Sequence, residues 1–292
     1  MKKLITLCLF AVSLCVTAQT TLIPDMKFRR LDTPNGLSSS QINCIYKDSR
    51  GYVWIGTPYG LNRYDGYRVK TFYSNIRDTT SMRDNYTDQI YESADGKLWM
   101  RQGMNYCVYD PVTELFERNA ARELSKLGLS CNVERLFIDS KKNIWVKDYE
   151  NAIYCYHPKT KKYTTIKVGY GEKEYPPSGI STLAEEGDKL IVATNSGELI
   201  CLNGETGEVE WVNKWMREHG CPQDQEFRLY IDKDQNYWCQ VLNITYIYIK
   251  KEDRWYTSVN EYCAAHGISD LPGPLMVWNL VVDEKDWLWL VC

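Results

Sequence analysis

Three long polar side chains, Arg101, Lys147 and Gln240, each stand two residues after a tryptophan (Trp99, Trp145, Trp238), where the first copy of the pattern has Gly56 after Trp54. A guanidinium, an ammonium and a carboxamide on one level can hydrogen-bond a polar ligand such as a sugar or its carboxylate. The same side chains can also snorkel from strand ends with no ligand at all. Arg101, Lys147 and Gln240 are the candidate ligand-binding residues, and no catalytic residue is assigned. Asp232-Lys233-Asp234-Gln235-Asn236 has the oxygen spacing of a calcium loop, but Tyr237 stands where the required glycine belongs. That segment also aligns with the ordinary turn Asp48–Tyr52. His157 precedes Pro158, while His219 and His266 end helical patterns, where a cationic ring suits the local dipole. GxSxG, HExxH and Walker patterns do not occur. The pair Glu185-Glu186 says nothing about the carboxylate separation a glycosidase needs. No metal and no cofactor is called for.

The strands that carry these residues belong to a repeat. Between Ile42 and Asp65, three short β-prone runs are punctuated by turns at Ser49–Gly51 and Gly60. The anchor Trp54 is followed by Trp99, Trp145, Ile191, Trp238 and Trp289, in steps of 45, 46, 46, 47 and 51 residues. Six residues before each anchor stand Asp48, Ser93, Asp139, Glu185, Asp232 and Asp283. A side-chain oxygen there can bond backbone N–H groups two residues on and fix a turn between two strands. A spacing in the mid-forties on a four-run β unit signals an all-β fold, a β-propeller of four-stranded blades. Five complete blades are expected at about 42–73, 89–118, 133–167, 180–212 and 227–257, with a partial sixth from Val277. Because that unit stops just past Trp289, an unclosed fragment of a seven-bladed ring is expected, with residues 26–31 as an outer strand of the closing blade. Between blades, 120–128, 212–220 and 258–267 read as helices ending at glycine, and 169–179 as a Gly/Pro loop. These connections share one face, and binding surfaces favour loops on a rigid scaffold.

The 22 Tyr and 10 Trp suit packed sheet faces. The formal charge is −3 without a basic block, so nucleic acid is not an expected partner. Lys2 and Lys3, the apolar run Leu4–Leu14, and Val16 with Ala18 read as a signal peptide over residues 1–18, cleaved before Gln19. The apolar run is too short for a stop-transfer helix. Residues 19–292 then form a periplasmic propeller domain, incomplete at its C-terminus. Of eleven cysteines nine remain after cleavage, an odd number with no CxxC pair. Cys107, Cys155 and Cys201 follow their anchors by eight, ten and ten residues, so one repeated, buried strand slot is expected for them.

Gly36-Leu37-Ser38, Ile42, the run from Asp48 to Thr57 and Gly60-Leu61-Asn62-Arg63-Tyr64-Asp65 closely resemble the two-component regulator propeller repeat. With its degenerate later copies, the resemblance covers roughly 28–292. It implies the periplasmic sensor region of a hybrid two-component system, responsive in many members to oligosaccharides. It further implies, as partners in the intact parent, a second propeller, an immunoglobulin-like domain, a membrane helix anchoring it in the inner membrane, and a histidine kinase. The sequence carries none of those later parts, so kinase activity is not expected of this chain, and a sensing propeller without turnover is. The rival readings are a secreted propeller hydrolase or lyase acting on polysaccharide, and a protein-interaction scaffold. Whether the chain forms a homodimer stays open.

Overall fold

A buried indole needs a partner for its N–H, and that requirement shapes each blade. The structure, a computed structural model, describes residues 30–149, 152–166, 169–170, 173–174, 179–268, 279–282 and 288–291. The signal peptide, Asp283 and most of the outer strand expected at 26–31 lie outside the described residues; Arg30 and Leu31 carry no strand. Blade one comprises β1 (Cys44–Lys47), β2 (Val53–Thr57), β3 (Gly60–Tyr64) and β4 (Val69–Phe72). Blade two comprises β5 (Gln89–Glu92), β6 (Leu98–Gln102), β7 (Asn105–Asp110) and β8 (Leu115–Glu117). After α1 (Ala120–Lys126), blade three runs through β9 (Val133–Ile138), β10 (Ile144–Asp148), β11 (Ile153–His157) and β12 (Lys162–Ile166). The expected Gly/Pro loop instead contains a small hairpin, β13 (Gly169–Tyr170) with β14 (Lys173–Glu174). Blade four is β15 (Ile180–Glu186), β16 (Lys189–Thr194), β17 (Leu199–Asn203) and β18 (Val209–Asn213), followed by α2 (Trp215–Glu218). Blade five is β19 (Phe227–Ile231), β20 (Tyr237–Val241), β21 (Ile244–Ile249) and β22 (Arg254–Tyr256), followed by α3 (Val259–Ala265).

Each blade is a four-stranded antiparallel meander in chain order. The inner strands β1, β5, β9, β15 and β19 touch in succession, which arranges the five blades in a ring about a common axis. Strands β23 (Asn279–Val282) and β24 (Leu288–Val291) pair as a hairpin whose first strand contacts β19, the expected partial sixth unit. The helices lie in the expected connections. Two of them begin at polar caps: Asn119 accepts from Ala121 N and Ser258 from Glu261 N, each satisfying one otherwise unpaired helix N–H.

The six-residue spacing proves to be one hydrogen bond. Nε1 of Trp54, Trp145 and Trp238 donates to Oδ2 of Asp48, Asp139 and Asp232 at 2.9, 2.9 and 3.0 Å. The other carboxylate oxygen accepts the backbone N–H four residues on, from Tyr52, Asn143 and Asn236. The expected bond two residues on forms in blade one, where Arg50 N also reaches Asp48. In blade two Trp99 donates to the single oxygen of Ser93 at 3.0 Å, and Asp95 takes the nearby Lys97 N–H. The calcium-like segment 232–236 is thus the same turn, its first carboxylate occupied by Trp238.

Blade four departs from the pattern. Tyr46 faces Trp54, Tyr91 faces Trp99, Phe137 faces Trp145 and Tyr230 faces Trp238, each pair eight residues apart, but Ala184 faces Ile191, seven apart. The turn is one residue shorter, so Glu186 occupies the carboxylate slot, and the alignment of Glu185 with Asp48 is corrected. Glu185 matches Glu92, and both clamp the preceding blade: Glu92 accepts from Ser49 and Glu185 from Ser140, each through backbone N–H and hydroxyl.

The cysteine slot also needs correction. Cys155 and Cys201 face their anchors, whereas Cys107 faces Met100, one residue beyond Trp99 and on the other side of the sheet. All three are buried and free. Burial pushes the Cys201 and Cys221 thiols up to about 11, which leaves them protonated and unreactive.

Asp139→Ala leaves a buried indole N–H and a turn amide without their acceptor, and is expected to cost about 2–4 kcal/mol. Asp139→Asn keeps an acceptor oxygen and is expected to cost less. Urea unfolding midpoints at unchanged m-value check the order; a negligible loss in Asp139→Ala would show that the carboxylate does not support the turn.

Candidate functional site

Strand direction decides what reaches the axis. The inner strands start at the face that carries the inter-blade connections, and the second strands end there, so the residue two after each anchor meets the head of an inner strand. In blade one this residue is Gly56, opposite Cys44. A Cβ there would stand 2.6 Å from both Cys44 Sγ and the main-chain oxygen of Thr87. Glycine is required because the segment leading into blade two crosses at that point, with Thr87 N bonded to Thr57 O at 3.1 Å.

Elsewhere the slot holds the predicted residues: Arg101 opposite Gln89, Lys147 opposite Arg135, and Gln240 opposite Arg228. Arg101 grips Asp88 through Nε at 2.8 Å and through Nη2, while its Nη1 donates to Glu226 Oε1 at 2.9 Å. Glu226 immediately precedes the inner strand of blade five, so this bond spans the axis. Arg135 of blade three reaches the same Glu226 oxygen at 3.9 Å and donates from Nε to the Ser181 carbonyl of blade four at 3.3 Å. Lys147, only 2% exposed, pairs with Glu134, the neighbour of Arg135. Gln240 is 4% exposed on blade five. Arg101 and Arg135 meet at Glu226, while Lys147 with Glu134 forms a separate pair opposite Arg135, and Gln240 stands in register with Arg228. Two carboxylates, Asp88 and Glu226, engage the Arg101 guanidinium.

Asp88, Glu134, Arg135 and Glu226 are not singled out by the sequence repeat. A signal for them exists: each lies at or just before the first residues of an inner strand, at the level of the Gly56 slot. Burial pushes the Glu226 carboxyl up, but the hydrogen bond and charge of Arg101, with Arg135 and Arg228, outweigh this and hold it below the usual carboxylate range. The histidines serve locally: His157 bonds Asn143 and Thr164, and His219 and His266 take the helix-end positions expected of them. Clefts also open at the seams between neighbouring blades, including those between blades two and three and between blades three and four. Among the described residues no group of three or more His, Cys, Asp or Glu could hold a metal ion. Nor is any helix there long and apolar enough to cross a membrane.

The fold and its repeated turn define a β-propeller. Its first blade carries the two component regulator propeller repeat, whose family model matches residues 36–59. A histidine kinase of Formosa agariphila is 38% identical over 55 residues, which is 19% of this chain and 4% of the kinase. The fold is shared with extracellular domains assigned to two hybrid two component systems of B. thetaiotaomicron. One aligns at 19% identity and TM-score 0.61, the other at 21% and 0.59, covering 90% and 91% of this chain. The chain spans 34% of the length of each of those structures.

A depressed carboxylate stabilises the fold above its unfolded pKa, and that contribution is lost as pH falls through the folded one. Glu226→Gln is therefore expected to lower stability at pH 7, with the difference from the parent chain shrinking below about pH 4. Unfolding midpoints across pH 2.5–7 (about five points suffice) test this; a difference independent of pH would mean that Glu226 does not act through its charge.

Proposed function

We propose that this chain is the ligand-sensing propeller of a two-component system, exported to the periplasm and non-catalytic, which responds to oligosaccharides at its axial charged group. The observation that carries the reading is the meeting of blades two, three and five at Glu226, through Arg101 and Arg135. A sugar carboxylate matches the chemistry of that carboxylate and can replace it against two guanidinium groups. Replacement removes the axial tie of blade five to blades two and three. A ligand that binds one arrangement of the blades better shifts the population toward it, and coupling to later domains and a kinase in the intact parent is a difference in that preference. The resemblance to extracellular sensor domains and the repeat in blade one support this reading. Arg101 is the principal ligand residue, with Lys147 and Gln240 shaping the level on which it sits.

The test is calorimetric titration of the purified chain with trigalacturonate, alongside an assay for new reducing ends on a polysaccharide panel. Saturable binding without turnover is expected, weakened about tenfold or more by Arg101→Ala and by raising salt to about 1 M. Release of new reducing ends would favour the polysaccharide-degrading enzyme. Absence of trigalacturonate binding with both folded Arg101→Ala and parent chain would remove the axial site.

A further inference from the structure

Each tryptophan anchor of blades one to three packs against the next blade: Trp54 among Ile90, Leu98 and Met100, Trp99 among Leu136, Ile144 and Val146, Trp145 among Leu190, Val192 and Ile200. At the seam between blades four and five the anchor is Ile191, which is smaller. The residue before the anchor compensates in part. That slot holds Leu98, Ile144 and Leu190 in blades two to four but Tyr237 in blade five. Its hydroxyl donates to Glu186 Oε2 at 2.8 Å, so the carboxylate that elsewhere holds an indole of its own blade here holds a phenol of the next.

Beside this substitution lies a cleft of about 590 Å³, within the range of small-ligand sites, ~300–1,000 Å³. Three aromatic rings, Trp211, Tyr237 and Tyr248, are among its lining residues, with Tyr248 packed between Tyr237 and Trp255. Trp211 lies 6.4 Å from Tyr237 at 25°, and Tyr248 lies 5.6 Å from Tyr237 at 36°. Trp211 and Tyr248 are half-buried and Tyr237 forms the floor. The rim is polar. Lys250 Nζ donates to Glu186 Oε1 at 2.7 Å and to Gln235, and Lys189 pairs with Glu210 at 2.6 Å. The cations at the rim are thus matched by carboxylates, which favours a neutral ligand over an anion. Aromatic faces take the C–H face of a ring, while a carboxylate, an amide and ammonium groups around them take hydroxyls.

We infer that the seam between blades four and five is a second ligand site, which takes a neutral saccharide of about two or three rings, stacked on Trp211 and hydrogen-bonded by Glu186, Gln235 and Lys250. The inference stands on the anchor substitution and the cleft, independently of the axial reading.

Maltotriose, cellotriose, laminaritriose and xylotriose serve as probes, read by tryptophan fluorescence and calorimetry on the full chain. At least one is expected to bind saturably below about 10 mM and to quench fluorescence. Trp211→Ala is expected to weaken it about tenfold or more. Gln235→Ala, at the exposed rim, is expected to weaken it without loss of fold, and Lys159→Ala in the neighbouring seam to leave it unchanged. Saturating trigalacturonate is expected not to compete. Failure of all four probes to bind overturns the inference, as does an isotherm untouched by Trp211→Ala and Gln235→Ala in folded protein. Loss of neutral-saccharide binding in the presence of trigalacturonate moves the site to the axis and overturns it too.

Discussion

The hydrogen bond from a buried indole to a carboxylate six residues earlier is the constraint on which the blades depend. It ties the first inter-strand turn to the second strand from inside the sheet. One Asp oxygen holds the turn amide of Tyr52, Asn143 or Asn236; the other takes the indole N–H. Because the side chains of Asp48 and Asp139 are buried, their oxygens need that many hydrogen-bond donors around them. The same turn requires a left-handed residue three after the acid. Glycine meets that requirement at Gly51 and Gly96, while Lys142 and Gln235 adopt it at φ 65 and 62. The turn is thus built first by side-chain bonding, and glycine assists where it is present.

Blade four lacks the indole, and its bonding is rearranged accordingly. With Ile191 as anchor, the carboxylate slot has no indole donor in its own sheet, and Glu186 recruits Tyr237 and Lys250 from blade five. A bond that closes one blade becomes a bond between two. The exchange keeps the carboxylate satisfied and adds polar and aromatic contacts beside a seam whose centre is apolar, with Ile191, Phe227, Leu229 and Cys239 buried together.

Most of the fold is legible in the sequence because tryptophan, turn acid and strand run recur together, so strand positions expected for all five blades fall within a few residues of the observed ones. What escapes is anything that depends on counting across a turn. Spacing from the anchor points to Glu185 where Glu186 is the slot residue, because the blade-four turn is one residue shorter and no residue type marks that deletion. The same counting groups Cys107 with Cys155 and Cys201, although a different turn length puts it on the opposite side of its sheet. Arg101, Lys147 and Gln240 each stand opposite a residue near the head of an inner strand, because that register is set by distance from the anchor along a single strand. Their partners are not foreseeable in that way. Asp88 and Glu226 are 138 residues apart in number (226 − 88) yet meet on one guanidinium, and only the arrangement of blades about an axis brings them together.

Within a blade, ladders of main-chain hydrogen bonds fix the strands to one another; between blades the ties are chiefly side chains. Ser49 with Glu92, Ser140 with Glu185, Arg101 with Glu226 and Tyr237 with Glu186 all cross from one sheet to another, and each includes a carboxylate. Side-chain ion pairs and charged hydrogen bonds respond to salt, pH and competing ligands far more readily than a β ladder does. Blade five is held by carboxylates both at the axis, through Glu226, and at its seam with blade four, through Glu186, as blade two is through Glu226 and Glu92. Changes of charge at Glu226 and at Glu186 therefore act on the same sheet.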